Sequence, residues 1–152
     1  MLNTVKKYHL ALFYVVYIGF CLASNFVHPV TPAFLQLINC SNSMFGFAYS
    51  AMALGQFLTS ALWGKVGDKI GYSKAIALGF FGYAFSALVF SMAKGPTLVI
   101  AGRFIAGCVV SSIQVNSMAY LTSIDAPMEE RNSLLVLYAS LQSICSAFGF
   151  LV

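Results

Sequence analysis

Apolar residues in this chain come in long runs, and the polar ones collect at a few short breaks. Runs over about 9–29, 44–63, 75–93, 97–121 and 132–152 each supply the roughly 20 mostly apolar residues that a membrane-crossing helix needs. The breaks carry turn chemistry and charge: HPVTP near 28–32, GKVGDKIGYSK at 64–74, AKGPT at 93–97 and DAPMEER at 125–131. The pattern therefore predicts five transmembrane helices joined by short turns, forming one partial domain over 1–152. Span five stays apolar to Val152 with no polar cap, which we read as a chain cut short.

Composition agrees with lipid as the solvent. Hydrophobic residues make up 60% of the 152, charged residues 8%, and the mean hydropathy is +0.85, so a polar exterior cannot be assembled. The net charge of +4 does not point to nucleic acid, because the basic residues are scattered at span ends. Cys21, Cys108 and Cys145 lie in apolar runs and read as small hydrophobes; Cys40 lies in a polar stretch without an evident partner. A cleaved leader is the weaker reading of the N-terminus, since its apolar run continues through Phe26 and Val27.

Lysine and arginine set the orientation. Lys6 and Lys7, then Lys65, Lys69 and Lys74, then Arg131 fall on one side, and Lys94 alone falls on the other. The N-terminus is therefore expected in the cytoplasm of a multi-pass plasma-membrane protein, with 64–74 as a tight cytoplasmic turn.

That turn holds more than anchors. Gly64-Lys65-Val66-Gly67-Asp68-Lys69-Ile70-Gly71 resembles the G-x-L-A-D-R-x-G motif of the major facilitator superfamily of transporters. Arg103-Phe104-Ile105-Ala106-Gly107 is similar to that family's R-x-x-Q-G motif in span four, with Ala106 in place of the glutamine. Pro127 and Arg131 stand where the family has a proline-and-arginine loop. Tyr72 and Ser73 replace the basic pair that often follows the first motif. Gly149-Phe150 keeps only the glycine of the span-five motif of drug–proton antiporters, and the sugar porters' proline-tyrosine-glutamate signature after span four is absent.

The resemblance implies an all-α membrane fold in which this chain supplies five helices of a six-helix half-bundle. A C-terminal half would complete the carrier, and solute would be held near the midplane. It implies alternating-access transport of a small organic solute, in the manner of efflux members more than sugar porters, with no cofactor. It also implies that Gly64, Asp68, Lys69, Gly71 and Arg131 form a cytoplasmic gating element. Protons are a candidate coupling ion, but no aspartate or glutamate lies inside a span, so a coupling carboxylate would have to come from the other half.

Within the spans, Arg103 is the one deep charge, about 9 Å below the outer surface at 1.5 Å rise per residue. Such a cation usually faces a cavity or a partner. Gly107, Ser111 and Gln114 share its helix face, Gln114 within about 20°. Span one carries Tyr14, Tyr17, Cys21, Asn25 and His28, and span two Tyr49, Gln56, Ser60 and Trp63. Arg103, Asn25, Gln114, Tyr17 and Gln56 are thus the candidates for lining a cavity or touching solute. The pairs Ala51/Gly55 and Gly102/Ala106 are expected to let helix backbones approach. There is no nucleophile–base pair, metal cluster or phosphate loop, so an enzyme is not expected. The rival reading is a small multi-span scaffold or accessory subunit whose polar stripes only hold helices together.

Overall fold

The structure is a computed structural model that describes residues 4–41 and 43–150, with side chains placed from Tyr8 to Phe148 outside residue 42. The side chains of Lys6, Lys7 and Phe150, and all of Val152, lie outside that description.

The described residues form five helices: α1 Thr4–Leu37, α2 Ser43–Ile70, α3 Tyr72–Ser91, α4 Pro96–Thr122 and α5 Met128–Phe150. Among them, Tyr8–Leu37 of α1, all of α3 and all of α4 are long and apolar enough to cross a membrane. Helices α2 and α5 are as long but carry more polar side chains. The fold is that of an all-α membrane protein.

Two expected breaks are not breaks. HPVTP lies inside α1, which runs on to Leu37. Pro29 and Pro32 deprive the Asn25 and His28 carbonyls of their usual N–H donors, a loss that membrane helices tolerate. Between the two prolines, Thr31 is buried and donates its hydroxyl to the Val27 carbonyl at 2.5 Å. Likewise 64–70 is not a loop. Helix α2 continues to Ile70, with Lys69 favourably placed in its last turn. Gly71 alone separates it from α3, at φ 91°, a conformation that suits glycine. Its N–H bonds the Gly67 carbonyl at 2.8 Å, and its own carbonyl accepts from Ala75 N–H at 3.2 Å. The other two breaks stand: Pro96 opens α4, where its missing N–H costs nothing, and Pro127 immediately precedes α5.

The chain packs as two compact units. Pro32–Tyr120 forms one of them around α4. Helix α2 lies along α4 at backbone contact: a methyl on Gly107 would overlap the Met52 carbonyl oxygen, and one on Gly55 would sit 2.5 Å from that of Phe104. Thr59 donates to the Cys108 carbonyl at 3.0 Å and pairs with the Ser111 hydroxyl at 2.8 Å, while Trp63 Nε1 donates to the same carbonyl at 2.6 Å. Thr59 and Trp63, two of the polar side chains of α2, are therefore satisfied by α4. Helix α3 packs on another side of α4, where Ser112 donates to the Ala75 carbonyl at 2.8 Å. One end is closed by Leu35, Ala48, Ala93 and Val99, with Phe34, Cys40 and Phe90 packed against them.

The expected small-residue pairs are split between neighbours. Gly55 meets α4 as expected, but Gly102 takes the Phe90 backbone of α3, at 3.0 Å from a hypothetical methyl.

The second unit joins residues up to Thr31 with Leu121 onward. Tyr14 donates to the Leu134 carbonyl at 2.7 Å and Tyr17 to Gln142 Oε1 at 3.2 Å. The Tyr17 and Tyr138 rings stack at 4.4 Å. Cys21 and Cys145 are buried free thiols.

Candidate functional site

Two regions of the Pro32–Tyr120 unit carry chemistry that packing alone does not call for. The first is the end of α2. Gly64 is half-buried with Val115 nearest, and Gly67 is buried. Asp68 and Lys69 are exposed, so the helix presents one anion and two cations (with Lys65) at its tip. Asp68 Oδ1 accepts a hydrogen bond from the Tyr72 hydroxyl at 3.0 Å. The tyrosine that stands where a basic residue was expected is thus a donor to the acidic member of the motif. Arg131 belongs to the other unit, half-buried, with Nη1 donating to the Thr122 carbonyl at 3.2 Å.

The second region is Arg103. Its side chain is 4% exposed, and its guanidinium carbon lies 4.5 Å over the Phe90 ring centre. The phenols of Tyr49 and Tyr83 are within electrostatic reach. A cation over an aromatic face gains about 0.5–2 kcal/mol, and the planar guanidinium suits that stacking.

The helical stripe drawn from Arg103 divides in the structure. Gly107 and Ser111 are consumed by contact with α2, through the Met52 backbone and Thr59. Gln114 is half-buried, as is Gln56 on α2. In the other unit, Tyr17 is buried against Tyr138 and Gln142. Asn25 is half-buried and donates Nδ2 to the Cys21 carbonyl of its own helix at 2.7 Å. The structure thus places Arg103, Gln56 and Gln114 in one unit and Tyr17 and Asn25 in the other.

Sequence reasoning passed over Asn116, which is fully buried beside the α2 tip and holds it. The signal was available: Asn116 follows Ser112 by one helical turn, extending the polar run begun by Ser111 and Ser112. It also passed over α5, where Ala139, Gln142, Ser143, Ser146 and Ala147 line an open recess of about 590 Å³.

These features define a helical membrane protein with a charged helix tip and a buried arginine. The profile of the Major Facilitator Superfamily matches residues 13–152, and the chain belongs to that family. It is 26% identical over 133 residues to multidrug resistance protein 2 of Bacillus subtilis, a match covering 88% of this chain and 33% of that protein. It is also 26% identical over 103 residues to the quinolone resistance protein NorA of Staphylococcus aureus, covering 68% of this chain and 26% of NorA. The chain spans a third or less of the length of these curated relatives.

Proposed function

We propose that this chain is the N-terminal part of a secondary efflux carrier for a small organic solute, working by alternating access in the plasma membrane. The observation that carries this reading is the family match together with relatives named for multidrug and quinolone resistance. The exposed Asp68 at the α2 tip supports it, because an anion there is available to a helix of the remaining carrier. In this reading Gly64, Asp68, Lys69 and Gly71 form a cytoplasmic gate contact, joined by Arg131. We assign solute contact first to Arg103, and then to Gln114, Gln56, Tyr17 and Asn25. All five helices span the bilayer. Protons are the proposed coupling ion.

Asp68→Asn tests the gate. In the complete carrier it is expected to keep abundance and solute binding while slowing transport about tenfold, the effect of losing one charge-assisted contact from one of two states. A cysteine near the cytoplasmic end of α2 reports the state by its labelling rate. An unshifted rate removes Asp68 from the gate.

Orientation is tested separately. Cys40, half-buried at the α1–α2 connection, is expected to react with a membrane-impermeant maleimide in intact cells, because the lysine distribution places the N-terminus inside. Labelling only after lysis reverses the orientation.

A further inference from the structure

We propose that Asn116 is a positioning residue for Asp68, acting from α4 through Gly67 and Tyr72. The inference rests on the reading of Asp68 as a gate contact for its consequence in transport, though its geometry stands independently. Asn116 is 0% exposed. Its Nδ2 donates to the Ser112 carbonyl of its own helix at 2.9 Å and to the Trp63 carbonyl of α2 at 3.2 Å. Two carbonyl acceptors can be met only by the amide nitrogen, so the orientation of the carboxamide is fixed. The oxygen is thereby turned toward Gly67, buried and without a hydrogen-bond partner.

Gly67 has no room for a side chain on that face. A methyl there would overlap Asn116 Oδ1 and lie 3.2 Å from the Tyr72 ring. The Gly67 backbone is thus held between a carboxamide from α4 and an aromatic ring from α3. The same tyrosine donates its hydroxyl to Asp68. From Asn116 to Gly67 to Tyr72 to Asp68, each member fixes the next.

The arrangement also accounts for a helix that runs where a loop was expected. The last two turns of α2 contain Gly64 and Gly67, each of which weakens a helix interior. Asn116 ties the Trp63 carbonyl, at the start of that stretch, to α4. A buried acceptor left without a donor is unfavourable, and a helix end that must keep one register against α4 supplies a reason for it.

The test uses this chain in lipid nanodiscs, with 13C-carboxyl aspartate. Its two aspartates are Asp68 and Asp125, so Asp125 is an internal control. Gly67→Ala is expected to shift or broaden the Asp68 carboxylate signal and leave Asp125 in place. Adding Asn116→Ala makes room for the new methyl, and the double variant is expected to return the Asp68 signal toward its original position. Asn116→Leu keeps the volume and removes the amide. It is expected to speed hydrogen exchange at the Val66–Gly71 amides about tenfold, with α3 amides unchanged. Additive effects in the double variant, or an unmoved Asp68 signal, overturn the proposal. Equal changes at Asp68 and Asp125 also overturn it, since they report general loosening. A carrier in which the clamp signals behave as expected but Asp68→Asn leaves transport intact would count against the gate reading alone, with the clamp supported.

Discussion

Gly107→Val is expected to reduce the folded yield of the chain at least about tenfold, because overpacking at a fixed backbone contact costs 1–3 kcal/mol or more. The position faces the Met52 carbonyl oxygen of α2 so closely that even a methyl overlaps it. A carbonyl oxygen cannot rotate aside as a side chain can, so α2 as a whole must retreat. Retreat lengthens every contact along the seam at once: Gly55 on Phe104, Thr59 and Trp63 on the Cys108 carbonyl, and Asn116 on Trp63. In a membrane these contacts have no hydrophobic substitute, since lipid is as apolar as the helix faces and association depends on close packing and hydrogen bonds. The control is Gly19→Val. Nothing lies within 4 Å of a side chain at Gly19, and it is exposed on α1, so its yield should equal that of the parent. The measurement is the monodisperse fraction after detergent extraction and mild heating. Parent-like yield for Gly107→Val would mean that α2 and α4 are held apart from this seam.

The five helices were legible because apolar runs of about 20 residues admit no other element in lipid. Helix ends were less so, for a physical reason. Proline, glycine and lysine interrupt helices when nothing else supports the backbone, and HPVTP and GKVGDKI were read in that way. In the structure the packing of Leu35 against Ala48, Ala93 and Val99 accompanies α1 past its prolines, and Asn116 carries α2 past its glycines. Ala93, Val99 and Asn116 lie far along the chain from the segments they support, and a local reading cannot weigh them. The polar stripe from Arg103 met a related limit. Periodicity says which residues share a helix face; it does not say whether water, solute or another helix covers that face. Gly107 and Ser111 turned out to meet α2. Asn25 shows the same ambiguity, since a carboxamide in a membrane can meet its need by bonding the carbonyl one turn back. The motif at 64–71 was legible as a pattern, but its internal bond was not: only the fold brings the Tyr72 hydroxyl onto Asp68.

Arg103→Ala is expected to lower transport by the complete carrier at least about tenfold while leaving membrane insertion and folded abundance near those of the parent. The two halves of this expectation have different causes. A buried arginine at membrane depth costs at least roughly 2.5–3.5 kcal/mol. The Phe90 face beneath it returns about 0.5–2 kcal/mol. Tyr49 and Tyr83, within electrostatic reach of the cation, offset part of the remainder, so losing the desolvated charge and its contacts together is expected to change folding far less than transport. A purely architectural role would show the opposite, with stability falling alongside activity. Transport should fall because the guanidinium is the one fixed positive charge deep in α4, and a solute or gate contact made by it has no substitute. Arg103→Lys sharpens the reading: it keeps the charge but loses the planar group that stacks on Phe90, so partial transport is expected. Efflux from proteoliposomes, set beside the melting temperature of the same preparations, separates the cases. Full activity in Arg103→Ala would confine Arg103 to its stacking on Phe90 and remove it from the transport cycle.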